Sequence, residues 1–478
     1  MERAKLILKA LEERGYESYI VGGAVRSLLL GLPQHDIDIL TLAPPEEVER
    51  TAVDKGWKVK KIGMSFGVLV VVVEDRAYEV ATARTETYGR DSHRPEYVEF
   101  TDSIVKDLSR RDFTINAMAM DLRGNILDPF GGRGDLKRGI VRAVGDPEER
   151  FKEDGLRPFR AVRFAAQLGF KIDEQTFDAI PKALHRVRGL SVERIRGELE
   201  KILLAPYASR GMDMLVETGL AGTRCLSRER GEEKQVDVLP ELYHMVGLEQ
   251  SRRYHTLDVW NHTLKVLDNV PSDLILRWAA LLHDVAKGLP GIRGLNKRGE
   301  IGDPGHDKKG AEMAEEILTR LKVYPSVTTR VCWLVRYHMG LPNPDRKSLI
   351  KWLRKQSVNF RSQRELHTTF WQLLQLCRAD VMGGMVNPDF SKLDELIKLS
   401  GEVLKNVPFY EKELAIRGRE VAEALGQGPQ VKKFLRDLLI RIQSGEFSNT
   451  EENLREALER KVRRLKMKQE ALNTKKKA

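Results

Sequence analysis

Strand signals are confined to the first third of this chain, and that asymmetry limits the possible folds more than any other feature. Apolar strand candidates occur at residues 19–21, 36–41, 66–73 and 78–83, and the third contains VLVVVV, a β-branched run typical of a buried strand. Beyond about residue 146 the strand signal nearly vanishes and the periodicity is helical. The chain is therefore expected to be a multidomain α+β protein, with a small mixed β-sheet in an N-terminal head and all-helical regions after it.

The 478 residues exceed one ordinary core, since domains average roughly 150 residues. Composition shifts divide the chain into an α+β head, a helical neck, a histidine-rich helical region and a basic helical tail. The polar stretch at 223–237, TRCLSRERGEEKQVD, is expected to be a linker after the neck. The domains predicted in this way are residues 1–145, 146–222, 240–400 and 401–478.

Charge and cysteine usage narrow the class of protein. Lysine and arginine total 81 against 70 acidic residues, and the pI near 9.3 is compatible with a phosphate-rich partner. Three scattered cysteines form no C-x-x-C pair, which indicates neither a disulfide framework nor a cysteine metal site. No run approaches the roughly 18 apolar residues of a spanning helix, and the N-terminus lacks a signal-peptide core. We expect a cytoplasmic protein without membrane contact and infer no obligatory protein partner.

The segment YIVGGAVRSLLLGLPQHDIDIL places two aspartates close behind a glycine pair. Asp36 and Asp38 are two residues apart on a predicted strand, so both carboxylates point to one face and suit a hard cation such as Mg²⁺. Gly22 and Gly23 end a strand and open a helix, which lets backbone N–H groups approach a phosphate. An aspartate pair alone is better explained as an ordinary strand edge. The strand–glycine–helix context favours a functional site.

Two further side chains extend this candidate site. Arg26, on the helix after the glycines, would add a charged donor, and Glu79, on the strand YEVATAR, would add a third carboxylate from a neighbouring strand. With Asp36 and Asp38 as the other catalytic carboxylates, this is the residue set of a two-metal phosphoryl-transfer centre. One metal would lower the pKa of an attacking hydroxyl, and the other would hold the triphosphate and the leaving pyrophosphate.

The motif G-G-x-V-R-x-x-L-L-G followed by D-x-D resembles the signature of the class II nucleotidyltransferases, of the DNA polymerase β superfamily. RRDFTINAMAMD at 110–121 and the segment 128–170 resemble the motifs that follow in the same family, which contains poly(A) polymerases and CCA-adding tRNA nucleotidyltransferases. The resemblance implies template-independent addition of CCA to tRNA 3′ ends from CTP and ATP, with release of pyrophosphate. Ser27 stands where the family usually has aspartate, which leaves the Asp36 and Asp38 pair intact.

The family's E-D-x-x-R motif matches Glu153, Asp154 and Arg157. Aspartate only accepts and arginine only donates hydrogen bonds, so the pair suits cytosine and adenine, which offer an exocyclic amine beside a ring acceptor. Uracil and guanine offer a carbonyl beside a ring N–H and would be rejected. On a helix the two residues share a face, although a surface ion pair has the same spacing. Because Pro158 is tolerated in a first turn, we expect a helix to begin near here.

Further nucleotide contacts follow from the same resemblance. It implies that Arg111, Arg160 and Arg163 bind the nucleotide. The segment 84–95 resembles the family's flexible loop, which reshapes the pocket when specificity changes from C to A. Enzymes that add only CC typically lack part of that loop, and here it has its full length.

Half of the ten histidines lie between residues 255 and 338. With nearby aspartates they form an ordered set that resembles the HD phosphohydrolase superfamily. Imidazole and carboxylate together suit Mn²⁺, Ni²⁺, Fe or Mg²⁺ rather than a structural thiolate zinc site. The resemblance implies hydrolysis of 2′,3′-cyclic phosphates or phosphomonoesters during 3′-end repair, although a scaffold role stays open. The metal-ligating residues implied are His262, His283, Asp284, His306, His338 and Asp380.

The tail ends in a basic amphipathic stretch whose charged face would follow tRNA phosphates, or which simply packs on its domain. Three alternatives remain open. An A-adding or CC-adding enzyme, or a bacterial poly(A) polymerase, would share the chemistry of the head. An HD phosphohydrolase with an inactive, nucleotide-sensing head belongs to another class, and an RNA-binding module would use neither metal site.

Overall fold

The computed structural model describes residues 1–477 except 35, 62–63, 90–94, 254, 296, 298, 385 and 387. These residues form two compact units. The first consists of Met1–Leu248, Asp258–Leu281 and Met313–Thr328, and the second consists of Glu249–Leu257, Leu282–Glu312 and the chain from Thr329 onward.

A mixed seven-stranded sheet forms the centre of the head, with strand order β3-β4-β5-β2-β1-β8-β9. Only the β2–β5 contact is parallel among its described pairs. Strands β6 and β7 form a separate antiparallel hairpin. The strands of the head are β1 Ser18–Val21, β2 Asp38–Thr41, β3 Lys58–Lys60, β4 Val68–Val73, β5 Arg76–Thr82, β6 Arg84–Tyr88, β7 Pro95–Phe100, β8 Ala119–Met120 and β9 Ile126–Leu127.

Alternation along the β-branched run buries one face of β4. Leu69, Val71 and Val73 are buried, whereas the residues between them are only partly so. The first and third helices contact each other and this sheet, and so cover its apolar side. The helices of the head are α1 Glu2–Glu12, α2 Gly23–Leu29, α3 Pro45–Asp54, α4 Ile104–Ser109 and α5 Gly132–Arg138, with 3₁₀ turns at Met64–Phe66 and Thr114–Asn116.

The strand predicted at 36–41 corresponds to β2, which begins at Asp38, two residues later than predicted. Its partner β1 ends at Val21, because Gly22 takes a φ of 69° and turns the chain into α2. The last β1–β2 pair is therefore Val21 with Asp38. Asp36 precedes the strand, so the argument that both aspartates lie on one strand face was wrong.

The region after the head is helical with short strand pairs. Strands β10 Ile140–Val141 and β11 Lys171–Ile172 pair in parallel. Helices α7, α10 and α11 contact one another and build the local core. The helices here are α6 Pro147–Glu153, α7 Arg157–Leu168, α8 Glu174–Lys182, α9 Leu184–Val187, α10 Val192–Leu203 and α11 Ala208–Glu217, followed by a 3₁₀ turn at Leu220–Gly222.

The linker expected at 223–237 is instead a β-hairpin. Strands β12 Arg224–Glu229 and β13 Glu232–Asp237 pair along their whole length around a turn in which Arg230 and Gly231 both have positive φ. Cys225 and Ser227 alternate into the protein and are fully buried. The charged residues between them hide this period of two in the sequence, so composition alone predicted a linker.

The remaining elements are almost all helical, and β14 and β15 form one small hairpin. Among the described residues, none of the helices combines the length and the apolar character needed to cross a bilayer. The elements are a 3₁₀ helix Pro240–Met245, α12 Val259–Asn269, α13 Leu274–Leu282, β14 Gly294–Leu295, β15 Ile301–Gly302, α14 His306–Arg320, α15 Pro325–Tyr337, α16 Arg346–Gln356, a 3₁₀ turn Ser357–Asn359, α17 Gln363–Gly384, α18 Ser391–Asn406, a 3₁₀ turn Glu411–Glu413, α19 Gly418–Leu425, α20 Pro429–Gln443 and α21 Glu451–Lys477.

The three C-terminal helices share a core of their own. Val421, Leu438 and Leu454, from α19, α20 and α21 in turn, are fully buried in it. Beyond Val462 the described side chains of α21 are exposed, so the distal half of this helix presents its basic residues to solvent.

Candidate active site and metal centre

A cavity of about 450 Å³ in the first unit gathers most of the residues singled out in the head and the neck. Asp38 lines it, as do all eight residues predicted to bind the nucleotide. Arg110, Asp112, Asn116 and Phe164 complete its wall and were not predicted individually, although the first three lie in the quoted motif RRDFTINA. The predicted nucleotide-binding residues in the cavity are Gly22, Gly23, Arg26, Arg111, Asp154, Arg157, Arg160 and Arg163.

Gly22 brings the backbone to the cavity in a conformation that other residues rarely adopt. Its φ is 69° and its ψ is −132°. A Cβ atom at this position would lie 3.2 Å from Nη1 of Arg111 and 3.8 Å from Oδ2 of Asp38. Glycine therefore lets the strand end, the turn and these two side chains meet without a steric conflict.

The head carboxylates come from two neighbouring strands and the residues ahead of them. Asp38 is in register with Glu79 across the parallel β2–β5 pair, so both project from the same face. Desolvation and the Glu79 carboxylate raise the pKa of Asp38, and Asp36 contributes in the same direction. A cation would relieve this repulsion, and the oxygen donors fit a hard divalent metal. Among the described residues, groups of three His, Cys, Asp or Glu side chains whose ligand atoms all lie within 4.8 Å of one another occur only around Asp284. The three carboxylates of the head are therefore spaced more widely than that.

Buried polar contacts connect one side of the cavity to the other. Arg160 donates to Asp112 from Nε and Nη2, at 2.8 and 2.6 Å. Asn116 donates from Nδ2 to the same carboxylate at 3.0 Å and accepts from Arg26. Burial alone would raise the pKa of Asp112, but Arg160 and Asn116 outweigh it and hold that pKa well below its usual range. Both Arg26 and Arg160 are thereby held in fixed positions.

Three guanidinium groups lie close to the ring of Phe164. The Cζ atoms of Arg163, Arg26 and Arg160 lie 3.9, 4.8 and 5.6 Å from the ring centroid. Desolvation lowers the pKa of Arg26 to about 10, and the neighbouring guanidinium groups contribute in the same direction. This concentration of positive charge in a partly enclosed cavity suits a polyanionic ligand such as a triphosphate.

The structure corrects the geometry expected for Asp154 and Arg157. Helix α6 ends at Glu153 and α7 begins at Arg157, so Asp154 lies in an extended linker with φ −138° and ψ 109°. Pro158 in the first turn of α7 favours this break. Arg157 is buried and donates to Glu153 at 2.5 Å and to the carbonyl oxygens of Arg150 and Arg110 at 2.9 Å each. The two side chains line one cavity without sharing a helix face, and their role as a nucleotide selector stays a prediction.

The segment likened to a flexible loop is regular where it is described. Its first part lies on β6, which pairs with β7, and residues 90–94 lie outside the described chain. Glu86 on β6 accepts from Arg84 at 2.6 Å and forms an ion pair with Arg110 at 2.9 Å. Through Arg110 the hairpin contacts the wall of the cavity directly.

The second unit contains a buried cluster with metal-ligand character. Nε2 of His306 lies 3.3 Å from Oδ1 of Asp284 and 3.2 Å from Nε2 of His338. The ligand atoms of these three residues all lie within 4.8 Å of one another. His283 lies alongside, with Nε2 3.2 Å from Asp284 Oδ2 and 3.9 Å from Asp380 Oδ1. The implied residues that belong to the second unit are therefore neighbours here.

The protonation of the two imidazoles tests whether a metal fits this cluster. Nδ1 of His306 lies 2.7 Å from the carbonyl oxygen of Asp303, and Nδ1 of His338 lies 2.7 Å from that of Val335. A carbonyl only accepts, so each Nδ1 carries a proton, and in a neutral ring this leaves the Nε2 lone pair for a ligand at the cluster. His306, His338 and Asp284 would hold a cation through imidazole and carboxylate donors, so the donor set fits a divalent metal.

Burial and neighbouring charges shift the pKa values of two imidazoles in the cluster in opposite directions. Burial, together with the charge on His283, lowers the pKa of His338 to about 4, so this ring stays neutral at pH 7. Burial also opposes the charging of His283, but Asp284 and Asp380 outweigh it and raise that pKa. A neutral imidazole is the form that ligates metals. His262, the sixth residue, is fully buried on α12 in the first unit, and its role as a ligand stays a prediction.

A cavity of about 620 Å³ opens beside this cluster and is lined by Asp284, His306, Asp380 and Lys287. Nζ of Lys287 lies 2.6 Å from Asp284 Oδ2 and donates to Gln250 at 2.8 Å. The lysine therefore stands at the boundary between the metal-type cluster and the open cavity, where an anionic group would meet both.

Comparison with family models divides the chain in the same order as these sites. Residues 18–142 match the poly A polymerase head domain, residues 169–223 match a probable RNA- and SrmB-binding site of polymerase A, and residues 252–365 match the HD domain. The first of these contains the glycine turn and the head carboxylates, and the third contains most of the metal-type cluster.

Whole-length comparisons give a consistent result. The chain is 34% identical to the CCA-adding enzyme of Geobacillus stearothermophilus, over 94% of this chain and 94% of that protein. It is 47% identical to the CCA-adding enzyme of Ligilactobacillus salivarius, over 46% of this chain and 53% of that protein. The crystal structure of the Bacillus stearothermophilus CCA-adding enzyme in complex with CTP matches with a TM-score of 0.65 and 29% identity, covering 98% of both chains. The Thermotoga maritima CCA-adding enzyme complexed with tRNA, at 20% identity, shares the fold over 95% of this chain and 93% of that one, with a TM-score of 0.56. This chain therefore belongs to the CCA-adding enzymes, a nucleotidyltransferase family.

Proposed function

We propose that this protein adds CCA to tRNA 3′ ends, with CTP and ATP as substrates and pyrophosphate as the released product. One observation carries the proposal: a single cavity of about 450 Å³ contains the glycine turn, the Asp38 carboxylate and the Asp154 and Arg157 pair. A site for a triphosphate, a site for a metal and a site for a base are thereby within reach of one nucleotide.

The reaction joins the 3′-hydroxyl of tRNA to the α-phosphate of the nucleotide. Asp36, Asp38 and Glu79 are the residues that would hold Mg²⁺, which lowers the pKa of a bound hydroxyl and neutralises developing charge. The backbone at Gly22 and Gly23 and the guanidinium of Arg26 would hold the triphosphate. The polar chain from Arg26 to Arg160 keeps these donors oriented before substrate arrives, which lowers the cost of ordering them.

Selection between bases would depend on Asp154 and Arg157. The guanidinium of Arg157 is oriented by Glu153 and two backbone carbonyls, so it would present its donors in a fixed direction. Asp154 accepts from the backbone N–H of Leu156 at 2.9 Å, which orients the carboxylate. Such a pair accepts an amine and donates to a ring acceptor, as cytosine and adenine require.

The proposal is tested with three tRNA transcripts, ending before CCA, after C and after CC, each supplied with CTP and ATP separately and together. Completion of all three to CCA is expected, with cytidine added only from CTP and the last residue only from ATP. Growth of the CC-ended transcript alone, by one adenosine, would identify an A-adding enzyme. The absence of any incorporation would reject the transferase.

We infer that the second unit is a metal-dependent phosphohydrolase, supported by the buried cluster of Asp284, His306 and His338 beside Lys287 and an open cavity. Mn²⁺, Ni²⁺ or Mg²⁺ would suit these ligands. The test measures the metal content and the hydrolysis of cytidine 2′,3′-cyclic phosphate for the wild type, His283→Ala and Asp284→Ala. A loss of both in the variants is expected. Unchanged metal content and hydrolysis would identify a scaffold.

A further inference from the structure

Asp107 is a fully buried carboxylate on α4 that is not one of the described residues lining the nucleotide cavity. Its Oδ1 accepts from Nε and Nη2 of Arg110 at 2.9 and 2.6 Å, and its Oδ2 accepts from Nη2 of Arg111 at 3.3 Å. Both arginines line the cavity. The buried carboxylate is therefore connected to the cavity through two guanidinium groups.

The two arginines differ in how many other groups hold them. Arg110 also forms an ion pair with Glu86 at 2.9 Å and donates to the carbonyl oxygen of Arg84 at 3.1 Å. Among the described residues, Asp107 is the one carboxylate that forms an ion pair with Arg111. The Nε of Arg111 is buried and has no hydrogen-bond partner within the described part of the chain. Loss of the charge on Asp107 would leave Arg110 anchored and would release Arg111.

Arg111 lies where the glycine turn meets the carboxylates of the head. Its Nη1 is 3.2 Å from the position that a Cβ atom on Gly22 would take. Desolvation and Glu79 raise the pKa of Asp38, and the charge of Arg111 opposes that shift. The direction in which this guanidinium points therefore matters to the phosphate-binding side of the cavity.

We propose that Asp107 is a positioning residue for nucleotide binding, and that its carboxylate directs Arg111 toward the phosphates of the bound nucleotide beside Gly22. The proposal rests on the CCA-adding function proposed above and adds a residue that does not itself contact the nucleotide. A long side chain that is already oriented loses less conformational entropy when its ligand binds. The expected signature is weaker nucleotide binding with little change in the rate of the bound complex.

The test uses a pair of matched substitutions in the full-length protein. Asp107→Asn keeps the size of the side chain and removes its charge. Asp135→Asn is the control, because Asp135 is also a buried carboxylate on a short helix of the head and accepts from an arginine three positions further on, Arg138, at 2.7 Å. Asp135 is not one of the described residues that line the cavity. Thermal unfolding of both variants measures the general effect of removing a buried charge.

Steady-state incorporation is measured with CTP and with ATP on the matching tRNA transcripts. Asp107→Asn is expected to raise the KM for both nucleotides by about tenfold or more and to change kcat by less than about threefold. Asp135→Asn is expected to leave both constants close to those of the wild type. Calorimetric titration with CTP in the absence of tRNA measures affinity without turnover, and weaker binding is expected for Asp107→Asn alone.

A double-mutant cycle separates an effect through Arg111 from an effect of Asp107 on Arg84 and Arg110. In the Arg111→Gln background, Asp107→Asn is expected to raise the KM further by no more than about twofold, because the side chain that it positions has been removed. If Asp107→Asn does not fold, Asp107→Glu takes its place in the same cycle. It keeps the charge but displaces the carboxylate, so the KM is again expected to rise in the wild-type background alone.

Two outcomes would overturn the proposal. One is an equal rise in KM on substitution of Asp107 in the wild-type and Arg111→Gln backgrounds. The other is a lower kcat with unchanged KM and unchanged affinity for CTP. If the wild type incorporates neither nucleotide, the proposed function itself fails, and the titrations with CTP still decide whether Asp107 acts on nucleotide binding through Arg111.

Discussion

Asp38 is the residue at which the head sheet and the cavity meet. It forms the last pair with β1, lies in register with Glu79 and lines the cavity beside Gly22. The charged carboxylate is disfavoured there, since desolvation and Glu79 raise its pKa. A carboxylate placed where its charged form is disfavoured is typical of a functional site rather than of a stabilising ion pair.

Asp38→Asn keeps the shape of the side chain and removes its charge. Nucleotide incorporation is expected to fall by several orders of magnitude, because the metal site loses a ligand charge. Since the raised pKa means that the charged form costs stability at neutral pH, the thermal midpoint should stay the same or rise. Incorporation and thermal unfolding are measured together, with the exposed Asp102→Asn as the matched control. Retained incorporation would contradict the assignment.

Asp112 gives a prediction about pH. Its depressed pKa contributes stability that is present above the unfolded-state value of about 4 and is lost as pH falls through the folded-state value. Asp112→Asn should therefore cost about 2 kcal/mol at pH 7, because it leaves Arg160 without its charge partner. Urea unfolding at pH 7, 4 and 3 should show the gap to wild type narrowing below pH 4. A gap that is constant with pH would show that the pair does not act through charge.

At the scale of elements, substitutions in and near the turn between β1 and α2 can distinguish an effect of backbone strain on stability from an effect on the geometry of the cavity. Gly22 and Gly15 both have positive φ, 69° and 86°. A Cβ at Gly22 would approach Arg111 and Asp38, whereas a Cβ at Gly15 would meet nothing within 4 Å. The two glycines therefore form a matched pair in the same region of the chain.

Gly22→Ala and Gly15→Ala are each expected to lose about 1 to 3 kcal/mol of stability through strain. Only Gly22→Ala should also raise the KM for CTP and ATP, by about tenfold or more, since the new methyl group displaces Arg111. Steady-state kinetics and thermal unfolding of both variants decide the matter. An equal rise in KM for the two variants would refute a local effect on the cavity.

For the whole molecule, the net charge of +11 is compatible with binding to tRNA. Lys461 and Lys468 lie two helical turns apart on α21, and both side chains are exposed. If this face follows the tRNA backbone, Lys461→Ala with Lys468→Ala should weaken binding and reduce the slope of log Kd against log salt by up to about 1.5. Filter binding at several salt concentrations measures this slope. The control removes Lys5 and Lys9 on α1, and equal slopes in the two double variants would argue against a tail contact.

Structural features formed by residues close together in the chain could be predicted from the sequence itself. The glycine pair before a helix, the β-branched strand β4 and the start of a helix near Pro158 depend on local backbone preferences, which neighbouring residues set. The mixed sheet followed by helices was predicted for the same reason and is confirmed. The hairpin β12–β13 was missed because its charged residues conceal the period of two. Roles known only from the family resemblance, such as that of His262, stay predictions.

Only the tertiary structure decided which distant residues meet. Arg160 reaches Asp112 from 48 positions away, and Lys287 reaches Gln250 from 37. Spacing in the chain carries no information on such pairs, because they depend on how packed elements bring their faces together. The same holds for the cavity beside Asp380, since its wall combines loops and helices that no local pattern connects. Local sequence determined the chemistry available at each position, and packing determined which of these groups act together.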